Sequence, residues 1–528
     1  MENETSQGTG TILLDPTKQV VDYDHFPLER LGRTHFIGIG GAGMSVLAEM
    51  LLEKGIPVSG SDRESNSKTE RLEALGATIY LGQKAQNVAQ ADTVVWSSAI
   101  KPDNPEIVAA HAQGALLMHR SDLLALLMAH SRAVTVAGAH GKTTTSAMAA
   151  QILVSAGSGQ LADPSFAIGG SIRTSEGTAD GGHAGKGAVL VAEADESDGS
   201  FEKYRPFIAI ITNVEPDHLD HYGSAQAFHQ AFLEHAGHAS GHVVLCGDDP
   251  GALDLLKALS PEQAATAVVY STQPDLPLGG SPASFVYIGG EKEAASDQEV
   301  DPQVAESFSL VLPPDLMAQS LSAEVRDSSS GKFRVNLRVP GIHNARNAAA
   351  AIIAAVLLGV SPQKACQAAF DFYGAKRRFE KRGEVNGVTV VDDYAHHPTE
   401  ISALLQAARR RYPQAATRVV FQPHLYSRTH FFAREFAQAL SLADDVIVTG
   451  IFPAREKQED WPQVGPDIVV SLIDQEGGRV KARSVEDMDE AGRLIAADAQ
   501  PGDLILTVGA GSITQVADTI LDALKDQA

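Results

Sequence analysis

The chain has 528 residues, 44% hydrophobic and 20% charged, so it can bury large cores, and its length suits about three or four domains. Its formal net charge is −24, from 66 acidic and 42 basic residues, which argues against a nucleic-acid partner whose phosphates such a surface repels. A local glycine turn with a lysine and Mg²⁺ still suits an anionic small ligand. Cys246 and Cys366 lack metal-ligand spacing and read as core residues of a chain at home in a reducing cytoplasm. Met1 to Asp22 carries no apolar signal-peptide run. Ala348 to Val360 is the longest apolar stretch and is too short for a bilayer, so no membrane partner is expected.

Residues 1–31 read as a flexible extension. A βαβ unit then opens at Thr34. Gly38, Gly40 and Gly43 complete G-x-G-x-x-G after a strand, with Gly41 inside the turn and a helix expected over Met44 to Lys54. Asp62 ends the next strand, where a ribose-binding acid would fall. Further strands are expected at Thr78–Tyr80 and at Thr93–Ile100, which carries Ser97 and Ser98. Read blindly, the motif predicts NAD. What it recognises is a pyrophosphate, so a nucleotide diphosphate is the safer expectation, and a turn serving only helix–strand packing is the plain alternative.

A second unit starts at Val134–Ala137, a β-branched run broken by Gly138 and Gly141 and followed by a helix expected over Thr144 to Ala156. Strand, glycine turn, Lys142-Thr143 and helix put backbone N–H groups against phosphate. Lys142 would neutralise the outer phosphates and the Thr143 hydroxyl would ligate Mg²⁺. Val136 stands where a complete GxxxxGK[ST] has its first glycine, and a turn with a solvent-facing lysine is the alternative. The strand at Val189 ends in Glu193-Ala194-Asp195-Glu196-Ser197-Asp198, which places Glu193 beside that loop. Phe207–Val214 is a further strand, followed by Glu215 to His221; oxygen ligands are the usual Mg²⁺ partners, so His218 and His221 read equally as capping residues.

Residues 279–306 read as an exposed polar insertion. A strand at Phe333–Val339 then leads through Gly341 and Asn344 into an Ala-rich helix over 348–358. After Gly374 the composition resets. Lys376 to Arg382 is a basic cluster that reads as a solvated face or a phosphate contact. Asp392 to Glu400, with Pro398 in the first turn of a helix, and Gln422 to Thr429 are strand ends rich in polar groups. Strands at Asp445–Gly450 and Asp503–Gly511 complete a third α/β module.

Taken together, the glycine turn at 38–44, the Lys142 loop, Glu193–Asp198, Asn213–Asp220, Gly341–Ala348, Arg377–Glu380, Asp392–Glu400 and Gln422–Thr429 resemble the Mur ligase family. The resemblance spans about residues 32 to 520 and has motifs in every module. It implies three α/β domains: a Rossmann-like UDP-sugar domain at 32–130, a P-loop ATPase-like domain at 131–372, and a Rossmann-like amino-acid domain at 373–528. The glycine turn would then hold UDP diphosphate in place of NAD.

The implied activity is ATP-driven amide formation. The lactyl carboxylate of UDP-N-acetylmuramate takes the γ-phosphoryl group, and the amine of L-alanine attacks the acyl phosphate. The resemblance assigns Gly138, His140, Gly141, Lys142, Thr143 and Thr144 to ATP, with Asn344 on adenine and Arg378 on the phosphates. Thr143 and Glu193 hold one Mg²⁺, and His218 helps hold a second. Gly38, Gly40, Gly41, Gly43, Asp62, Ser97 and Ser98 serve the UDP side, while Tyr394, His396 and Arg428 line the alanine end. Lys142, His218, His396 and Arg428 are the expected catalytic residues. Leu425 stands where many members carry a second arginine for the amino-acid carboxylate.

Overall fold

The computed structural model describes residues 12–175, 177–290, 301, 303–326, 331–454, 456–475 and 480–527. Three main sheets divide them. The first has five parallel strands in the order Thr78–Leu81, Val58–Asp62, Thr34–Ile37, Thr93–Trp96, Leu116–His119. Its reversal of strand order at Thr34–Ile37 opens a crevice at the carboxyl ends, where the glycine turn lies.

The central sheet has ten strands, and its parallel middle runs Ser165–Ala167, Val189–Glu193, Arg132–Ala137, Ile208–Ile211, His242–Cys246, Val268–Ser271, Ser284–Gly289. Antiparallel strands Gly182–His183 and Glu306–Leu312 with Gly331–Leu337 extend it at either end. Val134, Val136, Val191, Ile208 and Ile210 are fully buried, as near-continuous apolar strands covered on both faces should be. Helices Lys142–Ala156 and Ile342–Leu358 pack on one face, alanine-rich where they meet. The third sheet has six strands, all parallel except the edge pair Glu380–Val385 with Val388–Asp393.

Three expectations change. Residues 12–31 are not a loose lead-in: Leu31 and Tyr23 are buried, and the Tyr23 hydroxyl donates to Asp122 Oδ1 at 2.5 Å. Their apolar side chains supply what the polar composition masked. The 279–306 stretch contains the strand Ser284–Gly289, with Ser284, Val286 and Ile288 buried, and Glu306 begins another strand. Residues 1–11 and 291–300 lie outside the described residues. The Ala-rich helix starts earlier than expected, at Ile342, and so carries Asn344 and Asn347 in its first turns.

Candidate active site

Many helices among the described residues begin with a polar cap, such as Asn66, Asn104 or Ser224, whose side chain accepts from the first turn. Two that follow strand ends do not. Helix Ala42–Glu53 begins at Gly41 and helix Lys142–Ala156 at Gly141, both without a side-chain cap. Their free first-turn N–H groups and positive dipole ends suit phosphate. Gly141 takes the left-handed φ of 85°, and Gly138 has φ 139° with a Cβ position 2.1 Å from Thr212 Oγ1, so a side chain at Gly138 has no room. The two turns face one cavity of about 470 Å³ that runs from Gly41 and Gly43 past Ser97 and Arg120 to Lys142, Thr143 and Glu193.

Lys142 Nζ donates to Gly138 O at 2.6 Å and to Glu196 Oε1 at 2.9 Å. Burial works against its charge, but Glu196 and Asp195 hold its pKa above the ordinary lysine value. Glu193 Oε1 is buried with no hydrogen-bond partner, and burial raises its carboxyl above the usual range. An orphaned carboxylate oxygen beside the Thr143 hydroxyl fits Mg²⁺, which prefers hard oxygen donors. His218 sits in the left-handed region at φ 52°, with Nε2 4.0 Å from Glu196 Oε1 and 3.8 Å from Asp217 Oδ2. It lines the same cavity, as do Tyr394 and His396 from the C-terminal sheet.

A second cavity of about 260 Å³ lies on the other side of the Lys142 loop. Gly141, Thr144, Asn213, Asp248, Asn344 and Arg378 line it, with Tyr270 and Cys246 at its apolar end. Asn344 Nδ2 donates to Pro340 O at 2.7 Å, which orients its amide. His140 closes this cavity against the C-terminal domain: Nε2 is 3.2 Å from Glu215 Oε2 and Nδ1 3.4 Å from Glu400 Oε1. Burial disfavours the imidazolium, yet Glu400 and Glu215 raise its pKa to about 9. His397 packs on it with ring centroids 4.7 Å apart and is pushed down to about 4 by burial and by the charge on His140. Glu400 also meets Arg378 Nη1 at 3.4 Å and His396 Nδ1 at 3.2 Å. Burial opposes its charge, but His396 and His140 hold it well below the usual carboxylate range.

Several expected residues are engaged elsewhere. Arg428 lines neither cavity; one guanidinium nitrogen donates to both oxygens of Asp217 at 2.8 and 3.0 Å, and the side chain is buried. Asp62 Oδ2 accepts from Gly40 N at 2.8 Å and so shapes the glycine turn. Ser98 Oγ donates to Asp198 Oδ2 at 2.5 Å, tying the first domain to the second. Leu425 takes φ 68° ahead of helix Tyr426–Phe431 and is buried. Sequence reasoning passed over Glu196, Glu215 and Glu400 although each stood inside a quoted motif, because their pairing is long-range. Arg120, 2.8 Å from Asp195 Oδ2, belonged to no motif.

Sheet order, uncapped glycine turns and a shared cavity define a three-domain α/β architecture of the nucleotide-binding kind. Three family models match the chain: "Mur ligase family, catalytic domain" over residues 33–132, "Mur ligase middle domain" over 136–355, and "Mur ligase, glutamate ligase domain" over 377–511. The chain belongs to the Mur ligase family. It is 58% identical to the UDP-N-acetylmuramate–L-alanine ligase of Bifidobacterium adolescentis, covering 99% of this chain and 98% of that one. The protein of the same name from Renibacterium salmoninarum is 44% identical, over 95% of this chain and 98% of its own. Among solved structures, the UDP-N-acetylmuramate-alanine ligase of Thermotoga maritima superposes with a TM-score of 0.69 at 27% identity, covering 94% of this chain and all of that one.

Proposed function

We propose that the chain joins L-alanine to the lactyl carboxylate of UDP-N-acetylmuramate at the expense of ATP, releasing ADP and phosphate, as a cytoplasmic step in peptidoglycan precursor synthesis. The observation that carries this reading is the continuous cavity between two glycine-opened helix ends, with Lys142, Thr143 and Glu193 between them. Full-length relatives named for this reaction support it.

Two anions must meet for the carboxylate to take the γ-phosphoryl group. Lys142 and Arg378 spread that charge. Thr143 and Glu193 hold Mg²⁺, with His218 at a second ion; the metal supplies charge neutralisation when bound. Asn344 meets the adenine in the smaller cavity, with Gly138, His140, Gly141 and Thr144 around the phosphates. Gly38, Gly40, Gly41 and Gly43 take the UDP diphosphate, with Asp62, Ser97 and Ser98 on its uridine side. Tyr394 and His396 face the reacting end from the C-terminal domain, and Arg428 braces that domain on Asp217. The His140–Glu400 and Arg428–Asp217 contacts close the gap and keep water from the acyl phosphate.

The test is a phosphate-release assay of the purified chain with UDP-N-acetylmuramate, ATP and Mg²⁺ and each amino acid in turn. L-alanine should drive release. Release driven by a tripeptide and not by L-alanine would assign the chain to a peptide-joining relative, and NADH binding without any ATPase response would return the first domain to a dehydrogenase.

A further inference from the structure

A buried ring nitrogen of histidine needs a hydrogen-bond partner or a metal ion. Both ring nitrogens of His140 and Nδ1 of His397 are buried without a hydrogen bond of good geometry among the described residues. All three face carboxylates. His140 Nε2 lies 3.2 Å from Glu215 Oε2, and His397 Nδ1 lies 3.8 Å from Glu215 Oε1. His140, Glu215 and His397 each offer one ligand atom, and these atoms lie within 4.8 Å of one another. The three come from separate places: the Lys142 loop, the segment after strand Ile208–Ile211, and the start of helix Pro398–Arg411 in the third domain.

The donors select the ion. Two imidazoles and one carboxylate are a set that Zn²⁺ takes readily, whereas Mg²⁺ prefers oxygen throughout. Zinc bonds of about 2.0–2.1 Å put tetrahedral donors about 3.3 Å apart. His140 Nε2 and Glu215 Oε2 already stand at that spacing.

The groups behind the donors suit the same ion. Glu400 Oε1 is 3.4 Å from His140 Nδ1, close enough to take that N–H and leave Nε2 for a metal. Thr399 Oγ1 donates to Glu215 Oε1 at 2.7 Å, which holds the carboxylate with Oε2 towards His140. Burial keeps the His397 imidazole neutral, with a lone pair free to bind. The two carboxylates that favour a proton on His140 also favour a divalent cation beside it, since attraction grows with charge.

We propose that His140, Glu215 and His397 bind one Zn²⁺ ion that clamps the third domain to the second. This place is distinct from the Mg²⁺ residues, because Thr143, Glu193 and His218 line the larger cavity while His140 and Glu215 line the smaller one. Three protein ligands leave a fourth position for water or an anion in the smaller cavity. Since the ligands come from two domains, zinc selects the arrangement that brings those domains together. The site goes beyond the ligase reading and can be tested without turnover.

The test is calorimetric titration of the purified full chain with ZnCl₂ alone, in wild type, Glu215→Gln, His397→Gln and His218→Gln. One ion per chain is expected in wild type. Affinity should fall by about 100-fold or more in Glu215→Gln and His397→Gln, and stay within about twofold in His218→Gln. Zinc should raise the melting temperature of the wild type and leave that of His397→Gln where it was. Co²⁺ in place of zinc should give the intense visible absorption of a tetrahedral site in wild type and lose it in both ligand variants. No saturable zinc binding in wild type, binding that survives both ligand substitutions, or an equal loss in His218→Gln would each overturn the proposal. Metal-free melting within a few degrees of wild type confirms that each variant is folded, and the two ligand variants lie in different domains, so misfolding of one leaves the other to decide.

Discussion

Lys142 has partners on both sides of its ammonium, a carbonyl at the turn and a carboxylate behind it, so its removal leaves Glu196 buried with its nearest cation gone. Lys142→Ala should lower phosphate release by about 100- to 1,000-fold, the scale for losing one preorganised charge-stabilising group. Binding of UDP-N-acetylmuramate, measured by calorimetry, should stay within about twofold, because the first turn lies in another domain. Wild-type turnover in that variant would remove the phosphate-loop assignment. The loop and its lysine were legible in sequence from strand, glycines and helix alone. The engagement of Arg428 by Asp217 was not, since the partners are distant in sequence and either could equally have met a ligand.

His140 titrates with a sign that follows from its neighbours. Its folded value of about 9 lies above the ordinary histidine value, so the contact with Glu215 and Glu400 is fully present below about pH 6.5 and is lost as pH rises through about 9. The wild type should therefore lose up to about 3 kcal/mol of stability between neutral and strongly alkaline pH from this group. His140→Asn should show a shallower fall in melting temperature over the same range. Equal slopes would mean the imidazole carries no charge in the folded chain.

At the scale of elements, the two uncapped helix starts decide where ligands go. A side chain at Gly138 must avoid Thr212 and adopt a φ of 139°, so Gly138→Ala should destabilise the central domain by about 3 kcal/mol and abolish turnover together. Denaturant unfolding checks the first and the phosphate assay the second; a variant as stable as wild type would show that the loop yields. Strand and helix identity was largely readable here because the parallel strands are continuous apolar runs and the helices at these two turns begin at glycines. The strand Ser284–Gly289 was harder to see, since its neighbours are glycine, serine and proline and its own alternation is short. Helix Ile342–Leu358 was placed several residues late because His343, Asn344, Arg346 and Asn347 look like a loop until their place in the wall of the smaller cavity is known.

Across the whole molecule, the first and second domains are joined by buried charge. Asp122 accepts from Lys203 Nζ at 2.8 Å and from Tyr23, while Arg120 and Ser98 reach Asp195 and Asp198. Removing one member of such a pair strands the other, so Asp122→Ala should cost about 3–5 kcal/mol in unfolding free energy. Tyr23→Phe, which loses one hydrogen bond, should cost about 1 kcal/mol. If both variants melt with wild type, residues 12–31 are not part of the folded unit. Domain count and order could be read from three separate sets of motifs, but the packing of the leading segment depends on contacts about a hundred residues away. Composition does not record those.

The central claim is that ATP activates the sugar acid before the amine attacks it. Turnover of UDP-N-acetylmuramate carrying heavy oxygen in both positions of its lactyl carboxylate tests this most directly, with mass analysis of the released phosphate. One heavy oxygen per phosphate is the predicted result, since the bridging atom leaves with the phosphoryl group when alanine attacks. Unlabelled phosphate accompanying full amide formation would contradict the account.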